Sequence, residues 1–314
     1  MVRYFSEALV KEALPMRDAI GAVEAVFREL GEGGATNRPR QRVRIPGRML
    51  HTLSAGSAAL GWCGLKTYCT GRDGATFVLL LFDQATGGLA AIMEADALGR
   101  IRTGAATGVA ADHLAAPAAE TVGIVGCGYQ AETQLEALAA VRPLRRVDAY
   151  CRSGARRRAF AEKMAERLQV PVAPAASAEA AVRNRDIVVA VTTARTPVVR
   201  GAWLAEGAFV AAAGGNALSR RELDRRAVRH ARRIVVDDLP QARIECGDLA
   251  ALGSGFDWSA VETLGDVVAG GRGFEEAGSA LFESQGIAAE DIAAASVVYR
   301  RARREAALLP IGSG

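Results

Sequence analysis

A valine-rich stretch, Val122-Gly123-Ile124-Val125, runs straight into Gly126-Cys127-Gly128-Tyr129-Gln130-Ala131. Glycine at the first position permits a tight turn. Glycine at the third lets backbone amides approach a pyrophosphate, and alanine at the sixth lets the following helix pack closely on its sheet. The pyrophosphate then rests on the positive end of that helix. The spacing alone is a weak signal; here it follows a strand, opens a helix and starts a strand–helix alternation, the context a dinucleotide site requires. The second strand of such a unit usually ends in an acid that holds the adenosine ribose. This one ends Tyr150-Cys151-Arg152-Ser153, and Asp148 falls too early in the strand. A cation and a hydroxyl, Arg152 and Ser153, stand where a 2′-phosphate would lie, so NADP(H) is expected ahead of NAD(H).

Other side chains suit an anionic substrate. Lys66 sits between Leu65 and Thr67-Tyr68 in a mostly apolar strand, where a lysine without a partner would be costly. Arg102 is read as opening a helix of small residues, Gly104-Ala105-Ala106-Thr107-Gly108; a cation at a helix start opposes the dipole and calls for an anion. A basic extended segment, Arg38 to Arg48, contains Arg40 and Arg42.

The elements that must position these groups fall into two patterns. Before Pro117 come an amphipathic helix over 15–31, strand-like runs Met49–Ser54, Gly61–Cys69, Thr76–Asp83 and Leu89–Glu94, and a helix over 96–116. Phe77 to Phe82 is apolar on both faces, so a helix or a second subunit should cover the far side. From Glu120 onward strands (Thr121–Gly126, Arg146–Cys151, Asp186–Thr192, Phe209–Ala213, Arg233–Asp237) alternate with helices, the rhythm of a doubly wound parallel sheet. A final helix is expected over 288–307. The fold class is therefore α/β. A Rossmann domain over 118–283 is inserted into a smaller α+β substrate and dimerisation domain made of 1–117 and 284–314.

The 314 residues suffice for two cores. The formal net charge of +4 is small and dispersed. With no aromatic residues interleaved among Arg152, Arg156, Arg157 and Arg158, nucleic acid is not expected as a partner. Cys63, Cys69, Cys127, Cys151 and Cys246 form no C-x-x-C pair, so neither a disulfide framework nor a metal site is indicated. The absence of an apolar leader or spanning run points to the cytoplasm and away from a membrane.

The ordered set is more specific than any one motif. It comprises Lys66, Arg102-Thr103-Gly104-Ala105-Ala106-Thr107, Gly126-Cys127-Gly128, Gly214-Gly215-Asn216, Arg221-Glu222-Leu223-Asp224, Val236-Asp237-Asp238, Glu245-Cys246-Gly247-Asp248-Leu249, Leu281–Gly286 and Glu290-Asp291. Over nearly its whole length the chain resembles the ornithine cyclodeaminase/mu-crystallin family. The resemblance implies a homodimer acting on a small imino or amino acid. It implies that Arg102, Lys66 and Arg42 (or Arg40, two residues away) bind the substrate carboxylate, and that Thr103, Gly126, Gly128, Tyr129, Gln130, Arg152, Ser153, Thr192 and Gly215 hold the cofactor. In the cyclodeaminases an aspartate follows the paired glycines. Here Asn216 stands in its place, and an amide takes no proton at neutral pH. The expected reaction is therefore NAD(P)H-dependent reduction of α-imino acids, cyclic ketimines or imines formed from a keto acid and an amine. Lys66 or His51 would supply the proton. The rival readings are an ornithine or lysine cyclodeaminase with recycled NAD, an alanine-dehydrogenase-like enzyme, and a crystallin-like binding protein.

Overall fold

In the computed structural model, which describes residues 1–271, 273–274 and 278–311, the alternating apolar runs of the N-terminal third form the strands of one mixed sheet. These are β1 (Val2–Phe5), β2 (Ala35–Ile45), β3 (Arg48–Ser57), β4 (Trp62–Gly71), β5 (Gly74–Asp83) and β6 (Leu89–Glu94). The spatial order is terminal strand Ala307–Leu309, then β1, β6, β5, β4, β3, β2. Helices α1 (Glu7–Ala13) and α2 (Met16–Gly31) and the C-terminal helix (Ala288–Ala302) belong to the same unit. The C-terminal helix packs on α2, β3 and β4. Leu53, Leu79, Leu81 and Met93 are fully buried, each contributing about 1.5–3 kcal/mol. The intervening Val78, Leu80 and Phe82 point to the opposite face and are only half-buried.

The division into units falls between Arg102 and Thr103, inside helix α3 (Asp96–Leu114), and again between Gly286 and Ile287. The sequence places these boundaries at Pro117 and residue 283.

The second unit, Thr103–Gly286, is a doubly wound α/β sheet. Its strands are β7 (Thr121–Val125), β8 (Arg146–Tyr150), β9 (Val172–Pro174), β10 (Ile187–Ala190), β11 (Phe209–Ala212), β12 (Arg233–Val236), β13 (Val261–Thr263) and β14 (Ala280–Glu283). All pairs are parallel, in the order β13-β12-β14-β11-β10-β7-β8-β9. Helices α4 (Ala131–Val141) and α5 (Gly154–Leu168) cross between the first strands. β7, β10 and β11 are almost entirely buried, as parallel strands covered on both faces must be. The chain order reverses between β7 and β10, and ligands of such sheets bind outside the carboxyl ends of the strands at that point.

Candidate active site

Five ionisable side chains meet within the first unit. The Lys66 ammonium donates to Asp291 Oδ1 at 2.7 Å. Arg102 donates from Nε to the same oxygen at 2.8 Å and from Nη1 to Glu290 Oε2 at 2.7 Å. All four side chains are buried. Arg40, only 5 % exposed, is the fifth, and its charge is felt at Lys66. Burial, seconded by the positive charge of Arg102, pulls Lys66 down to about 8 although Asp291 opposes the shift. Burial works against the charge on Arg102, but Asp291 and Glu290 more than offset it and its pKa rises. Burial pushes Glu290 up.

A bulge delivers the arginines. Ala35 to Arg38 pair with Ser57 to Ser54, but Gln41 to Ile45 pair one residue out of step, with Thr52 to Arg48. Two residues, Pro39 and Arg40, therefore oppose the single Leu53, whose partner on the other side is Lys66. Bulges of this kind re-aim side chains beside active sites.

Three expectations are corrected here. The first concerns the carboxylate arginine. Arg40, not Arg42, shares the buried environment of Lys66; Arg42 pairs across the strands with His51 and is half-buried. The second concerns His51. Burial, then the charges of Arg42 and Arg40, lower it to about 4. Its ring stacks on Tyr68 at 4.4 Å, and Nε2 lies 3.2 Å from Thr70 Oγ1. A neutral imidazole can accept or donate a hydrogen bond, but it is no proton reservoir near pH 7. The third concerns Arg102, which does not open its helix: α3 begins at Asp96 and Arg102 lies in the second turn. The helix start is capped by an acid, Glu7, which accepts the Asp96 amide at 3.2 Å and the Ala97 amide. The anion that Arg102 requires is in part the protein's own Glu290 and Asp291. These two acids lie in an alanine-rich helix, and sequence reasoning gave them no role. The available signal was their place among Ala288-Ala289 and Ile292-Ala293-Ala294, since acids buried among small apolar residues need cationic partners.

In the second unit the expected cofactor residues follow the carboxyl ends of adjacent strands. Gly126-Cys127-Gly128 leaves β7, Cys151-Arg152-Ser153 leaves β8, Thr192 lies beyond β10, and Gly214-Gly215-Asn216 lies beyond β11. Gly126 has φ +118°, and a Cβ there would stand 2.3 Å from the Val191 carbonyl oxygen. At Gly128 nothing lies within 4 Å of a Cβ position, so the loop leaves open space before the start of α4. No side chain caps the N-terminus of α4, and the positive end of a helix suits a pyrophosphate. The loop thus fits a dinucleotide. Tyr129 is exposed; Gln130 precedes α4; Thr103 is buried, and its carbonyl accepts from Gln134 Nε2 at 3.3 Å. Arg152 is exposed, and Ser153 caps α5 by accepting the Arg156 amide at 3.3 Å. Arg157 lies over the Tyr150 ring at 5.1 Å and donates to the Cys151 carbonyl at 3.0 Å. Asn216 is exposed.

The pattern of the ornithine cyclodeaminase/mu-crystallin family matches residues 3–306. The chain is 33 % identical over 307 residues to an alanine dehydrogenase of Archaeoglobus fulgidus, covering 93 % of this chain and 92 % of that one. It is 35 % identical over 230 residues to a Delta(1)-pyrroline-2-carboxylate reductase of Bacillus cereus, covering 72 % and 70 % respectively. Among solved structures, that of Thermococcus litoralis Delta(1)-pyrroline-2-carboxylate reductase in complex with NADH and L-proline superposes with a TM-score of 0.92. Its identity is 29 %, over 98 % of this chain and 100 % of that one.

Proposed function

The chain belongs to the ornithine cyclodeaminase/mu-crystallin family, and from that premise we propose how its residues carry out imine reduction. It is an oxidoreductase that reduces the C=N bond of α-imino acids with a reduced nicotinamide dinucleotide. The observation that carries the mechanism is Lys66, a wholly buried ammonium held at 2.7 Å by Asp291. When bound, the reduced dinucleotide supplies a hydride to the imine carbon. An iminium accepts hydride far more readily than a neutral imine, so an acid must stand at the nitrogen. Lys66, lowered to about 8, is still protonated near neutrality and gives up its proton with little penalty. Arg102 and Arg40 hold the substrate carboxylate, the fork of Arg102 being fixed by Glu290 and Asp291 so that little orientation is lost on binding.

Deaminative cyclisation needs a second proton acceptor to let an amine attack and ammonia leave, and at the expected position the chain offers the Asn216 amide. Pyrroline-2-carboxylate or piperideine-2-carboxylate should therefore consume reduced cofactor stoichiometrically. Ornithine or lysine with catalytic NAD⁺ should release no ammonia, and pyruvate with ammonia tests the alanine-forming alternative in the same assay. Sustained ammonia release without net cofactor turnover would replace the reductase by the lyase.

NADP(H) is the proposed preference. Its support is the missing acid after β8 and the exposed Arg152 beside Arg156 and Arg157. Replacing Arg152 by Asp should remove a phosphate partner, supply a ribose-binding carboxylate and move the preference toward NADH. Titration of both proteins with both reduced cofactors checks this, and tighter NADH binding by the unaltered protein would refute the assignment. A homodimer is proposed as well. The half-buried Leu65 and Phe82 line a groove on the sheet face away from the C-terminal helix, and a second copy would cover it.

A further inference from the structure

Two of the loops at the carboxyl edge of the parallel sheet are tied to one side chain outside both. Glu222 is 1 % exposed. One of its oxygens accepts the Thr192 amide at 2.5 Å and the Thr192 hydroxyl at 2.7 Å; the other accepts the Gly214 amide at 2.7 Å. Gly214 has no room for a side chain. A Cβ there would stand 2.2 Å from the Thr192 carbonyl oxygen and 2.7 Å from the Glu222 carboxylate, so carboxylate and loops already fill the space between them. The backbone of Glu222 is fixed as well. Its amide donates to Asp248 at 3.0 Å, and its carbonyl accepts the Val198 and Val199 amides at 2.8 and 3.0 Å. The tie therefore cannot shift without moving Thr192 and the Gly214-Gly215-Asn216 turn.

We propose that Glu222 is a positioning residue for the cofactor, its negative charge holding the loops after β10 and β11 in the arrangement that accepts a nicotinamide dinucleotide. This rests on the cofactor site described for the second unit. The chemistry is a mismatch of donors. A carboxylate can accept from two amides and a hydroxyl at once. A neutral acid turns one oxygen into a donor, and of its three neighbours only the Thr192 hydroxyl can accept. The protonated side chain can still accept the Gly214 amide and donate to the Thr192 hydroxyl, but its hydroxyl oxygen is a poor acceptor for the Thr192 amide, so the tie is weakened. Asp248 and Glu283 are the charged groups that act on it; Arg221 acts in turn on Asp248, and Asp237 and the Cys246 thiol on Glu283. Burial lifts Glu222 to about 7, aided by Asp248 and opposed by the bonds from Thr192 and Gly214. The tie is at full strength above neutrality and weakened below it.

Fluorescence titration with NADH between pH 6 and pH 8.5 tests this. NADH is preferred because the 2′-phosphate of NADPH titrates in the same range. The apparent Kd scales inversely with the competent fraction, so it should rise about tenfold between pH 8 and pH 6. Glu222→Gln should bind weakly with no such pH dependence, and the Thr192 and Gly214 amides should lose protection from hydrogen exchange. Asp248→Asn keeps an acceptor for the Glu222 and Leu223 amides but removes a neighbouring negative charge, so its midpoint should move to lower pH. A Glu222→Gln profile parallel to the unaltered protein overturns the proposal, as does an unmoved midpoint in Asp248→Asn should the first variant fail to fold. If the unaltered protein binds no dinucleotide at any pH, the cofactor site itself falls.

Discussion

Replacing Lys66 by methionine should lower kcat/KM for a cyclic α-imino acid by about 10³–10⁴-fold, combining the loss of a general acid with the loss of a charge-assisted substrate contact. Methionine matches the stem, and Asp291 keeps its bond from Arg102 at 2.8 Å, so the fold should persist. The pH dependence identifies the role. Because Lys66 titrates near 8, kcat/KM of the unaltered enzyme should fall as pH rises through that value. Stability should move the other way. The folded-state pKa is lowered from 10.5 to about 8, so between those values the unfolded chain holds a proton that the native state has released. Stability therefore rises with pH across this window. In Lys66→Met both dependences should vanish together. Retention of activity to within about tenfold would remove Lys66 from the chemistry.

Arg102→Ala should be costly in two currencies. It strands Glu290, which is fully buried, and leaves Asp291 to Lys66 alone; breaking a buried pair in this way costs about 3–5 kcal/mol. That is a large share of the 5–15 kcal/mol typical of native proteins, so Tm should drop clearly in a melt. It also removes a substrate clamp, and kcat/KM should fall by at least about a hundredfold. Adding Glu290→Gln separates the two effects. Discharging one stranded acid should restore part of the stability and none of the activity. Recovered activity in the double variant would mean that Arg102 serves the fold alone.

What could be read from the sequence was whatever is encoded locally. The glycine loop after β7, the strand–helix rhythm from Glu120 and the two-faced apolar run of β5 all depend on residues near one another in the chain. The errors share a different origin. Whether Gln41 or Arg42 takes the face of His51 depends on the register of β2 against β3, and one extra residue at Pro39–Arg40 reverses the alternation. The expected helix over 96–116 agrees with the start of α3 at Asp96, which leaves Arg102 in its second turn; the anions it meets, Glu290 and Asp291, lie about 190 positions downstream. His51 is by type a neutral-pH acid, yet burial, with the Tyr68 ring against it, and then two arginines from the neighbouring strand lower its pKa to about 4. Glu290 and Asp291 were visible as a motif, but their task is set by Lys66 and Arg102, which lie far away along the chain.

The displaced register of β2 also decides which face of the strand its arginines take. Upstream of the shift the odd positions share the face of His51 and Leu53, as Asn37 does when it accepts the Ala288 amide at 3.1 Å. Downstream the even positions take over, beginning with Arg42. An in-frame deletion of Pro39 would leave Arg40 alone opposite Leu53 and Arg42 still opposite His51, so the strand would lose its bulge while the arginines kept their face. A slip that closed the bulge without removing a residue would instead set Gln41 opposite His51 and turn Arg42 to the other side.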